Sequence, residues 1–139
     1  MPSFRYYHPI EVRYGDLDPQ GHVNNAKFMT YMEQARVGYM RQLDLWDGSS
    51  FINLGIILAD AQITFLAPIL LHQSVRVGVR VPRLGNKSFT MEYSIENGID
   101  GSMFATGKSI QVAYDYTTRQ TTPIPKRWRE LITEYEQLT

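Results

Sequence analysis

Three runs of alternating hydrophobicity, joined by two five-residue turns, commit the second half of this chain to an antiparallel sheet. In the first run Val75, Val77, Val79 and Val81 alternate with Ser74, Arg76, Gly78 and Arg80. In the second, Phe89, Met91, Tyr93 and Ile95 alternate with Thr90, Glu92 and Ser94. The third extends from about Phe104 to Tyr114 and carries the small residues Ala105, Gly107, Ser109 and Ala113 on one face. A two-residue period places one set of side chains on a core and the other toward solvent. The turns Arg83-Leu84-Gly85-Asn86-Lys87 and Asn97-Gly98-Ile99-Asp100-Gly101 are short enough to join antiparallel neighbours.

A strand of the same kind is expected from about Ile56 to Leu66, closed by Ala67-Pro68, so that four meandering strands follow one another. The N-terminal run from Tyr6 to Tyr14 also alternates, with Arg5, Glu11 and Arg13 on its polar side. Between these strands the period changes. Phe28, Met32, Ala35, Tyr39 and Leu43 recur at steps of three and four, which marks one face of a helix about five turns long, from near Asn25 to near Leu43. Asn24 or Asn25 suits its N-cap. A short C-terminal helix is marked by Pro125 near its start and by Trp128, Leu131, Ile132 and Tyr135 on one stripe. The expected architecture is α+β, about five antiparallel strands with one long helix to cover them. The small residues of the last strand predict a close approach by that helix.

Residues 1–139 fit one domain with a proper core. The 14 basic and 14 acidic residues balance, so the basic surplus of a nucleic-acid or anionic-membrane binder is missing. There is no cysteine, which removes disulfides, thiolate metal sites and cysteine nucleophiles and fits a reducing, cytoplasmic setting. The N-terminus lacks the apolar run of a signal peptide, and no stretch has the ~20 apolar residues of a membrane helix. Neither nucleic acid nor membrane insertion is expected.

The segment Asp16-Leu17-Asp18-Pro19-Gln20-Gly21-His22-Val23-Asn24-Asn25 holds the chain's richest chemistry. Two carboxylates, a histidine and two asparagines precede a helix start, whose unsatisfied N–H groups and partial positive charge can polarise a carbonyl oxygen. A carboxylate beside it can serve as base or nucleophile. A calcium loop would need a bidentate glutamate at its twelfth position, where Lys27 stands, so that reading fails. An aspartate before a helix is otherwise a turn former or cap.

The run Arg13-Tyr14-Gly15-Asp16-Leu17-Asp18-Pro19-Gln20-Gly21-His22-Val23-Asn24-Asn25, with Phe28, Tyr31, Glu33 and Ala35-Arg36 after it, resembles the signature of hotdog-fold thioesterases, in the YbgC-like and 4-hydroxybenzoyl-CoA thioesterase group. Phe65-Leu66-Ala67-Pro68 and Lys87-Ser88-Phe89 recur at the matching places, so the resemblance spans about Ile10 to Thr117. It implies a sheet wrapped around one long central helix. It also implies hydrolysis of an acyl-coenzyme A to a carboxylate and free coenzyme A, with no metal or redox cofactor. By position Asp18 matches the catalytic aspartate and the Asn25 backbone N–H the donor that polarises the thioester. Asp16 supports the turn. The Asn25 position is often histidine in the YbgC branch, and His22 is the nearby candidate to substitute. Lys87 matches a basic position serving the nucleotide. Gly85 and Asn86 replace adjacent arginines of the 4-hydroxybenzoyl-CoA enzymes, so the resemblance implies fewer nucleotide contacts or contacts from Arg83, Lys87 and Ser88; the ordinary alternative for Arg83 and Lys87 is a solvated hairpin end. The resemblance further implies a homodimer or homotetramer with sites at the interface. The competing readings are a non-catalytic acyl-CoA-binding module and a thioesterase acting on acyl carrier protein.

Three other groups have ordinary explanations. Glu33 suits an ion pair or backbone support, Asp60 a hydrogen-bonded structural role with a raised pKa should it be buried, and Met29, Met32 and Met40 either core or acyl-pocket lining. His8 and His72 have no partner at a telling spacing.

Overall fold

The computed structural model describes residues 3–139. Its strands are β1 (Tyr6–Ile10), β2 (Ile56–Phe65), β3 (Val75–Leu84), β4 (Ser88–Asn97), β5 (Met103–Asp115) and a two-residue β6 (Gln120–Thr121). Its helices are α1 (Asn25–Gln42) and α2 (Lys126–Glu136). All strand pairs are antiparallel, in the order β1-β3-β4-β5-β2, with β6 on the far end of β5. The result is a curled antiparallel sheet with two helices.

Only three of the four expected meandering strands form a meander. β3, β4 and β5 follow one another as their short turns require, but β2 pairs with β5 at the edge, Phe65 opposite Ala105 and Ile56 opposite Ala113. The cause is the connection from Leu66 to Ser74, which crosses the end of the sheet instead of turning back on itself. Leu66 and Ala67 donate to the Phe104 carbonyl at 2.9 and 3.1 Å, and buried Ile69 accepts from Val23 N–H at 2.9 Å. β1 is also shorter than its alternation. Ile10 pairs with Val75, where β3 begins, so the chain beyond it has no partner strand. Val12 is still buried, but Tyr14 is exposed and opens a short 3-10 turn, Tyr14–Asp16.

α1 starts where Asn24 caps it, the side-chain oxygen accepting from Ala26 N–H at 2.9 Å. It ends before Asp44, whose φ of 58° stops the helical run. Phe28, Met32, Ala35, Tyr39 and Leu43 are all buried, as their spacing predicts. The helix packs over β1, β3 and β4. It approaches β1 closely at its own Gly38, where a Cβ would overlap the Tyr6 hydroxyl and lie 2.5 Å from His8 Nδ1. The small residues on β5 admit a side chain of this helix, since Met32 of α1 fills the space above Gly107. Val75, Val77, Val79 and Val81 line the core side of β3, each worth about 1.5–3 kcal/mol when fully buried.

Arg36 lies off the apolar stripe of α1 and is nevertheless buried. Its Nη1 donates to the Tyr93 hydroxyl at 3.0 Å and its Nη2 lies 3.9 Å from Glu33. Glu33 thus has the ion pair that its position predicts. α2 packs against β3 and buries Trp128 and Ile132. Glu136 accepts from Tyr39 Oη at 2.7 Å and from Val81 N–H at 2.8 Å.

Candidate active site

The turn that carries Asp18 is built by its own backbone. Asp18 N–H donates to His22 O at 2.8 Å, and Gly21 N–H donates to Asp18 O at 3.0 Å. Gly21 sits at φ 81°, a conformation that only glycine adopts without strain. Leu17 and Val23 face each other across the base of this loop, and His22 bridges to Leu70 in the crossing connection. Inside the loop, Asp18 Oδ1 accepts from Gln20 N–H at 2.9 Å and from His22 N–H at 3.3 Å. The other oxygen, Oδ2, takes no protein donor among the described residues. One end of the carboxylate is held and the other is free.

The first turn of α1 is arranged in the same selective way. Asn24 satisfies Ala26 N–H through its side chain and Lys27 N–H through its carbonyl, at 2.9 and 2.8 Å. Asn25 N–H donates to no protein atom among the described residues. A free donor at a helix start carries the partial positive charge of that terminus.

Asp18, His22 and Asn25 line one cavity of about 340 Å³ together with Gln20, Val23, Phe28 and the segment Phe65-Leu66-Ala67-Pro68. Phe28 and Phe65 meet edge to face, with centroids 5.0 Å apart, and form its apolar wall. Phe28 is buried while Phe65 is nearly half exposed. The cavity can therefore offer a free carboxylate oxygen, a backbone donor and an apolar surface to one ligand.

The other expected contacts lie elsewhere. Arg83 is on β3, Ser88 on β4 and Lys87 in the turn between them. Ser88 pairs with Val112, whereas Phe65 in the cavity wall pairs with Ala105. Those two positions are seven residues apart along β5, or about 23 Å. Within one protomer the hairpin and the Asp18 cavity stand at opposite ends of the sheet. Arg129 holds this hairpin, donating to the carbonyl of Gly85 at 2.7 Å.

Asp60 is exposed on β2 next to a register shift, so it is not a buried residue of an apolar strand. Met32 and Met40 are core, and Met29 is half-buried. His8 bonds the Tyr6 hydroxyl through Nδ1 at 2.9 Å, and its partial burial lowers its pKa. His72 is exposed. A larger groove of about 780 Å³ lies over the outer sheet face, where Arg76 pairs with Glu96 and Arg80 with Glu92. Lys108 lies in the same groove outside these two ion pairs. Sequence reasoning missed the wall made by Phe65 to Pro68 as part of the site, although the same four residues stand out in the sequence as a motif.

A family model described as the thioesterase-like superfamily matches residues 12–132. A thioesterase from Thermus thermophilus, solved in complex with coenzyme A and zinc, is 34% identical and superposes with a TM-score of 0.86 over 100% of both chains. The long-chain acyl-CoA thioesterase FadM of Escherichia coli K12 is 24% identical over 87% of this chain and 92% of its own length. The 1,4-dihydroxy-2-naphthoyl-CoA hydrolase of Thermosynechococcus vestitus is 28% identical over 82% of this chain and 79% of its own.

Proposed function

The chain belongs to the thioesterase-like superfamily and is a thioester hydrolase, and from that premise we propose that it cleaves an acyl-coenzyme A at the Asp18 cavity. The products are a carboxylic acid and free coenzyme A. The observation that carries the assignment is the pairing, in one cavity, of a half-tethered carboxylate with the one first-turn N–H that α1 leaves free.

The thioester carbonyl oxygen rests on Asn25 N–H, where negative charge grows as the carbonyl carbon is attacked. A donor fixed in advance at such a point is worth about 2.7–4 kcal/mol. Asp18 acts through Oδ2 in one of two ways. As a nucleophile it bonds the acyl carbon and expels the coenzyme A thiolate, and water then opens the mixed anhydride. As a general base it takes a proton from water while that water attacks. In either route the tethered Oδ1 keeps the carboxylate aimed at the carbonyl. His22, in the same wall, is the side chain at hand to pass a proton to the departing sulfur. The Thermus thermophilus structure contains zinc, but no cluster of three or more His, Cys, Asp or Glu able to hold a metal occurs among the described residues here.

Arg83, Lys87 and Ser88 are assigned to the coenzyme A nucleotide, through a second protomer. β2 is an edge strand with Ile57, Leu58 and Phe65 exposed, and an unpaired edge is a template for another strand. Two β2 edges related by a two-fold axis run antiparallel, which turns the partner's hairpin end toward this protomer's Asp18 cavity. At least a homodimer follows, with the sheet continued across both copies and one long helix central to each.

Free-thiol release from a panel of short, long and aromatic acyl-CoAs, alongside acyl carrier protein thioesters, tests the reading. Turnover of acyl-CoA is expected. Binding without turnover would favour a sensor module, and turnover confined to carrier-protein thioesters would move the substrate class. No helix among the described residues is long and apolar enough to cross a membrane.

A further inference from the structure

We infer that Tyr31 is a positioning residue for this reaction. Its hydroxyl, bound to Asp16, sets the spacing between the turn that carries Asp18 and the helix start that carries the Asn25 N–H. This inference rests on the reading of Asp18 and Asn25 as the reacting pair.

Asp18 and Asn25 stand on different elements, and the bonds between Asp18 and His22 close the loop without tying it to the body of α1. Asp16 spans the gap. Its carbonyl accepts from Asn24 N–H at 2.8 Å, which ties the approach to the loop to the residue before α1. Its Oδ2 accepts from Arg13 N–H at 3.0 Å and from Tyr31 Oη at 2.7 Å. Asp16 lies two residues before Asp18, and Tyr31 lies six residues after Asn25 on the rigid helix. The single bond between them braces the loop against the same helix that presents the amide donor. Lys27 Nζ approaches Asp16 Oδ1 only to 4.0 Å and is 41% exposed, so solvent screens most of its effect.

Tyr31 is well suited to such a brace. It is 2% exposed, and its ring stacks beside Phe28, itself part of the cavity wall. Burial, and after it the bond to Asp16, push the phenol pKa upward, so the hydroxyl stays a donor. A carboxylate that accepts from a buried hydroxyl makes one of the stronger hydrogen bonds available to a side chain. Removing the hydroxyl leaves the Asp16 carboxylate with Arg13 N–H and the more distant Lys27, so its charge is drawn toward water while its backbone stays tied to Asn24. A misplacement of about 1 Å between reacting groups costs about 100-fold in rate.

The test compares kcat, KM and melting temperature for the native protein, Tyr31→Phe, Asp16→Asn, Asp16→Ala and Asp18→Asn, using the acyl-CoA turned over fastest. Tyr31→Phe keeps the ring in the core, so kcat is expected to fall about 10- to 100-fold with KM unchanged. Asp16→Asn keeps an oxygen acceptor for Tyr31 and is expected to retain more of kcat than Asp16→Ala. A Tyr31→Phe protein with lowered melting temperature but native kcat would overturn the inference, leaving the bond a stabilising contact only. Should Tyr31→Phe fail to fold, equal kcat for the two Asp16 variants would overturn it. Undiminished kcat in Asp18→Asn would remove the reading of the reaction, and the brace with it. An inactive Asp18→Asn beside a fully active Tyr31→Phe would remove the brace alone.

Discussion

Replacing Gly38 with alanine should destabilise the protein, against the usual rule for a glycine inside a helix. In an exposed helix interior the change gains about 0.8–1 kcal/mol from propensity alone. Here the new methyl would overlap the Tyr6 hydroxyl and stand 2.5 Å from His8 Nδ1. Relief requires Tyr6 or α1 to move. Moving Tyr6 breaks its 2.9 Å bond to His8, worth about 0.5–1.5 kcal/mol, and disturbs its edge contact with buried Tyr39, centroids 6.0 Å apart. Moving the helix strains a filled core, at about 1–3 kcal/mol. Either route costs about 1–3 kcal/mol, and subtracting the propensity gain leaves a net loss of up to about 2 kcal/mol. For a chain of this size that is a drop of up to about 8 °C in melting temperature. Thermal unfolding at one fixed protein concentration, followed by circular dichroism, measures it. Adding Tyr6→Phe should restore part of the loss, because the overlapping oxygen is then gone. A melting temperature that rises in Gly38→Ala would refute the close approach of α1 to β1.

Two further outcomes follow from the geometry. Arg83→Ala with Lys87→Ala should raise KM for acyl-CoA about 10-fold or more, the scale of lost charge-assisted hydrogen bonds, while leaving KM for an acyl-pantetheine unchanged; equal effects on both substrates would take the hairpin away from the nucleotide. His8, whose pKa burial holds below its ordinary 6.5, binds its proton more readily unfolded than folded, so its contribution to stability is full above about pH 6.5 and is lost as pH falls toward the lowered value. Melting temperatures of native protein and His8→Asn between about pH 7.5 and about pH 5 should converge on acidification, and a constant difference would contradict this.

Most of the sheet and both helices were legible because their information is local. The alternation of Val75 to Val81 and of Phe89 to Ile95, and the three- and four-residue steps from Phe28 to Leu43, each specify which side of an element is buried. The position of β2 was not legible. Its own pattern reads as a strand, but its partner is decided by the route of Leu66 to Ser74, which has no period. Tyr14 continues the alternation of β1 as one more buried residue would, and only the end of β3 at Val75 explains why it is exposed. Arg36 reads as a solvated residue, since nothing in the sequence shows the Tyr93 hydroxyl waiting on β4. Of the candidate site, the Asp18 turn and the helix cap were readable from turn and capping chemistry. The separation of the Lys87 hairpin from the Asp18 cavity, about 23 Å along the strand, was not. A motif's place in the chain says nothing about which end of the sheet it occupies.

The most direct test of the account is kcat for Asp18→Asn at saturating acyl-CoA, with ligand affinity measured on the same protein. Asparagine keeps an oxygen for the Gln20 and His22 amides, so the turn and the binding of substrate should survive. Native affinity with kcat reduced at least ~100-fold is expected. Native affinity with native kcat would contradict it, since the carboxylate would then have no part in breaking the thioester.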